Sequence, residues 1–137
     1  MLGRLLTFFR FFFRFSGFHK PHVPWNAPRE FFDILPGPPA AEYPLAANVY
    51  APIGMPDAAW HPPADVHGLT EDPTFNGTLN NYTRARVYRR AYDAAIAYTD
   101  YNIGQVLHEL EILGHTNDTV VAVFGDHGWQ TGEHNTW

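Results

Sequence analysis

The chain of 137 residues contains no cysteine. That absence removes a disulfide framework, thiolate metal ligation and any nucleophile made from cysteine within this sequence. Long apolar runs are also lacking. Leu5-Leu6-Thr7-Phe8-Phe9 and Phe11-Phe12-Phe13 suggest a signal or membrane segment, but Arg4, Arg10 and Arg14 interrupt them, and a span needs ~18 apolar residues in a row. A signal peptide would further need a longer apolar stretch and small residues before its cleavage point. Concentrated positive charge is scarce. The net charge is −5 with neutral histidine, and apart from Arg84, Arg86, Arg89 and Arg90 the basic residues are scattered. A phosphate backbone would find little to hold, so nucleic acid is not expected as a partner.

What is present is unevenly distributed. Aromatic and apolar residues gather at the two ends, with a proline-rich stretch between them, a distribution that looks like part of a domain larger than this chain. Phe11 to Phe18 reads as a buried strand, and Met1 to Arg10 as an extension of it or a misplaced start. From Pro21 to Pro73 the prolines recur too often for helix, each removing a backbone donor and biasing its predecessor toward extended conformations. With no P-x-x-P repeat flanked by basic residues, this region reads as a surface-hugging connection rather than a polyproline ligand. Its aromatics Trp25, Phe31, Phe32, Tyr43, Tyr50 and Trp60 argue for docking rather than disorder. The sequons at Asn76, Asn81 and Asn117 fit a lysosomal or secreted, extracellular destination.

A helix is expected over 83–113. Tyr88, Tyr92, Ile96, Thr99, Ile103, Val106, Leu107, Leu110 and Leu113 recur at three- and four-residue spacing, and Gly114 stands where a helix terminates. The turn 115–118 then leads to a β-branched apolar run, Thr119 to Phe124, expected as a buried strand. Helix, turn, buried strand and loop in that order are one unit of an α/β sheet, in which ligands gather outside the carboxyl ends of the strands. Asp126 and His127 sit at that end, between Gly125 and Gly128. A carboxylate suits calcium or magnesium and an imidazole suits zinc, so the pair is compatible with either kind of metal site and equally with a polar turn. A second constellation, His19-Lys20-Pro21-His22, offers an ammonium and imidazoles that gain protons at mildly acidic pH, which suits an anionic substrate or an ordinary solvated loop.

Together these stretches resemble the sulfatase family of the alkaline-phosphatase-like superfamily, and most closely its iduronate-2-sulfatase-like branch. The matching residues are Gly17-Phe-His-Lys-Pro-His-Val-Pro-Trp25 with Ala27-Pro-Arg-Glu-Phe31, Tyr92-Asp-Ala-Ala-Ile-Ala-Tyr-Thr-Asp100 up to Gly104, and Gly125-Asp-His-Gly-Trp129 with Gly132-Glu-His134 and Trp137. Asp-His-Gly alone recurs through the superfamily; the ordered combination is specific.

The resemblance implies an α/β, partial alkaline-phosphatase-like fold, a mixed and mostly parallel sheet flanked by helices. On that reading residues 1–137 are a fragment of one catalytic domain: strand 11–18, proline-rich loop region 19–82, helix 83–113, strand 119–124 and metal-site loop 125–137. The implied activity is sulfate ester hydrolysis on glycosaminoglycans or related sulfated sugars, with formylglycine made from a cysteine as nucleophile. A divalent cation, usually Ca2+, with Zn2+ or Mg2+ as alternatives, would hold that nucleophile and the sulfate. Asp126 and His127 match the family's metal-binding pair, and His22 the histidine that contacts the sulfate ester and assists the leaving group. Lys20 and Trp129 would contact substrate, and Glu133 and His134 would support the site. The family's early aspartate pair, its Cys-x-Pro-x-Arg segment and the lysine after the Gly-Glu-His turn are absent here. The isolated chain is therefore expected to be inactive and to bind metal weakly. Two other readings stand beside this one: a superfamily hydrolase of phosphate esters or phosphonates, and a non-catalytic sulfatase-like binding module.

Overall fold

The computed structural model describes residues 12–35, 39, 42–48, 50, 52–59 and 82–136. Two α-helices organise them: α1, Arg29–Asp33, and α2, Tyr82–Ile112. Short 3₁₀ turns occur at Asp57–Ala59 and Glu133–Asn135. Residues 1–11, Trp60, Trp137 and the asparagines Asn76 and Asn81 lie outside the described residues, whereas Asn117 lies in the exposed turn after α2.

The 31 residues of α2 contain no proline and a single glycine, Gly104, so nothing interrupts a rod of about 46 Å at 1.5 Å per residue. Its end is set by local chemistry. Gly114 takes φ +77°, His115 N–H donates to Leu110 O at 3.0 Å and Gly114 N–H to Glu111 O at 2.9 Å. These are the paired closing bonds of a Schellman motif, whose left-handed residue carries no steric cost when it is glycine. The short α1 begins after Pro28, which supplies the fixed φ of a helix entrance without needing a partner for an N–H.

The helical apolar pattern places the core only in part. The most buried positions of α2 are Ala85, Ala94 and Ala95, the last two with no exposed surface. Small side chains there let α1 and the neighbouring loops approach the helix backbone closely, and the larger rings pack alongside. Phe31 of α1 is buried, with ring centroids 5.0 Å from Tyr98 and 5.5 Å from Tyr101. Trp25, 7% exposed, meets Tyr88 and Tyr92 at 6.1 and 5.5 Å. Further along, Val106, Leu107 and Leu113 are exposed despite falling on the expected face.

Among the described residues neither 12–18 nor 119–124 is a strand, and no β-sheet is present among them. Phe12, Phe13 and Phe15 are more than four-fifths exposed, and Val120 is 97% exposed with Val121, Val123 and Phe124 open beside it. Both runs have the β-branched or aromatic composition of strands, but a strand exists only when its N–H and C=O groups have a ladder partner and its side chains a face to cover. Sequence composition supplies the propensity; the described residues supply no partner.

Candidate functional site

The first component is the loop 19–25, which docks on α2. The Thr99 hydroxyl, on the helix, donates to Lys20 O at 2.9 Å. Within the loop, His22 N–H closes a turn on His19 O at 3.0 Å and the Trp25 indole N–H donates to Pro21 O at 3.0 Å. The Lys20-Pro21 and Val23-Pro24 peptide bonds are cis. The Lys20 ammonium folds back on its own loop, donating to Pro24 O and lying 3.5 Å from His22 O. Partial burial lowers its pKa from the ordinary lysine value, because a desolvated ammonium is less favourable than a solvated one.

His22 is exposed, and its Nδ1 lies 2.9 Å from Val23 O. A carbonyl only accepts, so this bond puts the proton on Nδ1 and leaves Nε2 as the free nitrogen. The ring stacks on His19 at 4.9 Å and meets Trp129 edge-on at 6.2 Å. Trp129 also packs edge-to-face on Trp25, at 5.2 Å and 85°. One indole therefore brings together the two stretches read separately in sequence, His19–Trp25 and Gly125–Trp129. Of the predicted site residues, His22, Lys20 and Trp129 form one cluster.

Asp126 and His127 precede Trp129 on an exposed stretch, their side chains 90% and 65% exposed. His127 N–H donates to Asp126 Oδ1 at 3.1 Å, and His127 Nε2 stands 3.9 Å from Asp126 Oδ2. One hard oxygen donor and one imidazole suit a divalent cation in kind. They fall short in number, because among the described residues no three His, Cys, Asp or Glu side chains converge on one point, whereas calcium takes six to eight oxygens.

The second half of the site is the turn 130–136, in which the sequence offered only Glu133 and His134, as supporting residues. Thr131, Gly132 and His134 take φ of 50°, 99° and 52°. For the two non-glycine residues this left-handed backbone costs on the order of 1–3 kcal/mol each and persists only when neighbours hold it. The holding contacts are visible: Gly132 N–H to Thr136 O at 2.8 Å, His134 N–H to Asn48 O at 2.6 Å, and His134 Nδ1 against Tyr50 O at 3.1 Å. Arg89 of α2 donates to Thr131 O at 2.9 Å, with the same Nη1 3.4 Å from the Thr131 hydroxyl.

The arginine run of α2 thus faces inward. Arg86 donates to Tyr43 O and Arg90 to Phe32 O at 2.6 Å, so three guanidinium groups satisfy carbonyls on two irregular segments and on the last turn of α1, which have no intrahelical or ladder partner of their own. Tyr43 donates its hydroxyl to Asp93, and Arg90 lies 5.9 Å from the Tyr43 ring centroid. Burial, and then the Asp93 carboxylate, push the Tyr43 phenol up to about 12. Two buried atoms lack a hydrogen-bond partner among the described residues, Arg89 Nε and Glu133 Oε2. Sequence reading missed Trp25, Arg89 and Thr131 as parts of the site. The available signal was that Arg86, Arg89, Arg90 and Asp93 share helical spacing with Tyr88 and Tyr92.

With Trp129 joining the two stretches, the likeness to other proteins bears directly on the site. A model of the sulfatase family matches residues 11–137. The chain belongs to the sulfatase family. It is 31% identical to human iduronate 2-sulfatase, with all of this chain and 25% of that protein aligned. A sulfatase from Formosa agariphila is 29% identical over 92% of this chain and 24% of its own length. An arylsulfatase from Clostridium perfringens is 29% identical over 90% of this chain and 23% of its own. The chain therefore spans about a quarter of the length of the curated relatives it matches. Membership implies the alkaline-phosphatase-like α/β fold.

Proposed function

We propose that this chain contributes part of the active site of a sulfuric ester hydrolase resembling iduronate 2-sulfatase, acting on sulfate esters of glycosaminoglycans or related sulfated sugars. In the whole domain its segments would join a mixed, mostly parallel sheet, with 119–124 as one strand. The observation that carries the functional reading is the contact of His22 with Trp129, which unites the His-Lys-Pro-His and Asp-His-Gly-Trp stretches.

Each residue then has a chemical task. His22, its Nδ1 committed to Val23 O, presents Nε2, which in the imidazolium form donates a proton to the departing sugar oxygen. Lys20 holds the loop with two of its donors and has a third for a sulfate oxygen. Trp129 presents an edge to His22 and a face to a sugar ring. Asp126 and His127 would hold a divalent cation, calcium by preference, together with donors from elsewhere in the domain. Such a cation supplies Lewis-acid polarisation of the sulfate. Exposed Asn117, within a sequon, supports a lysosomal or extracellular destination, and no helix among the described residues is long and apolar enough to cross a membrane.

The test is to capture the native gene product with an antibody raised against 83–113, map its peptides by mass spectrometry and assay it on a fluorogenic aryl sulfate. A product carrying a formylglycine peptide and cleaving the sulfate supports the proposal. Serine or threonine at the nucleophile position with phosphate ester cleavage would replace it with the phosphoesterase reading, and a product with neither activity with the binding-module reading. The 137-residue chain by itself, without cysteine, is expected to show no turnover and no micromolar calcium binding.

A further inference from the structure

We infer that Arg89 is a positioning residue for His22, acting at a distance through Thr131 and Trp129. The guanidinium is not at the site, and the connection runs along the chain. Arg89 Nη1 donates to Thr131 O at 2.9 Å, and Thr131 is a β-branched residue at φ 50°, a conformation that it leaves unless held. Trp129 is two residues earlier, and its indole lies against both Trp25 and His22. If Thr131 relaxes to negative φ, the chain direction through 129–131 changes, and the indole cannot keep both edge contacts.

The other fastenings of the turn act on Gln130, Gly132, His134 and Thr136 from within the turn or from the 48–50 segment, so Arg89 is the bond from α2 to the strained residue itself. The helix is a suitable reference frame. Its Thr99 hydroxyl also fixes Lys20 O, so α2 holds the His22 loop with one residue and the Trp129 loop with another. Arg86 and Arg90 are chemically equivalent but serve other segments, through Tyr43 O and Phe32 O. They provide an internal control that separates general cementing from positioning. The inference depends on the proposed role of His22 only for its consequence in turnover; the geometry can be tested without any activity.

The experiment follows the His22 side-chain resonances by NMR in the 15.6 kDa chain, assigned by His22→Gln, with His108 and His115 as reporters of the far end of α2. In R89Q the His22 resonances are expected to move toward free-histidine positions as the ring current of Trp129 is lost, while His108 and His115 stay in place. R86Q should leave His22 unmoved. R89K, which keeps one donor for Thr131 O, should restore part of the shift. Adding Thr131→Gly to R89Q should restore more, since glycine keeps the left-handed backbone without help. Equal movement in R86Q and R89Q, or no movement in R89Q, overturns the inference. Should R89Q lose its helical circular dichroism, R89K alone and with T131G decides, and absence of any His22 shift in R89K together with no gain from T131G then counts against it.

Discussion

Between Arg84 and Thr99 one side of α2 is covered, while Val87 and Ile96 stay 45% and 42% exposed. Ala85, Ala94 and Ala95 are buried, Tyr88 and Tyr92 pack on Trp25, and Arg86, Arg89 and Arg90 bond two loop carbonyls and one in the last turn of α1. Between Tyr101 and Leu113 the same helix is open, with Tyr101, Val106, Leu107, Ile112 and Leu113 all at least 40% exposed. On the covered part the arginines are half-buried and bonded beside the buried alanines, whereas on the other part large apolar side chains face out. Irregular segments have carbonyls without ladder partners, so on the covered half arginine is the useful packing residue: its long stem lies along apolar surface and its head supplies several donors. The run Val120–Phe124 that follows the open half is exposed as well. Among the described residues, one part of the helix is thus packed and the other leaves its large apolar side chains exposed.

The largest effect that would break this contrast is at Trp25. W25A removes a buried indole with ring partners Tyr88, Tyr92 and Trp129, and is expected to cost about 3–5 kcal/mol, read as a lower urea midpoint of the helical signal. Leu107→Ala, on the open half, should cost well under half as much; equal losses would mean that the two halves are equally packed. Next, A94L introduces volume where no surface is exposed and should cost about 1–3 kcal/mol, whereas V106L should leave the midpoint in place.

The contrast is also expected in alkali. The Tyr43 phenol is raised to about 12, above its ordinary value of 10.0. The folded state therefore holds the proton that the unfolded chain releases first. Its contribution to stability is whole below pH 10 and is lost as pH climbs through about 12. Circular dichroism followed from pH 9 upward should show this loss, and Y43F should remove it while weakening the chain at pH 7 through the lost bond to Asp93. The smallest expected stability change is at the open run. V121K or F124K should alter the midpoint by no more than about 0.5 kcal/mol, yet reduce self-association measured by light scattering, because a charge in an exposed β-prone run discourages edge pairing.

How far each element was legible follows from how local its cause is. The end of α2 could be read at Gly114, because the Schellman bonds involve only residues 110–115. Its buried line could not, because periodicity marks large apolar side chains and the docked loops chose alanines. The runs 12–18 and 119–124 carry strand propensity that the described structure does not convert into strands, since pairing is a property of two segments and composition a property of one. At the site, the motifs His19–His22 and Asp126–Trp129 were legible as chemistry. Their meeting was not, because it depends on Trp129 reaching across to Trp25 and His22.

By itself, then, the sequence determined a long helix with a glycine stop, a proline-interrupted connection, the absence of cysteine from these 137 residues and the His-Lys-Pro-His and Asp-His-Gly-Trp motifs. Only the tertiary structure decided that the arginines turn inward, that Thr131 and His134 are held in left-handed backbone, and that one indole joins the two motifs. The physical reason is range. Caps, breakers and donor inventories act over a few bonds along the chain, whereas the partner of a carbonyl or of an aromatic ring is chosen by whichever segment the fold brings within a few ångströms of it.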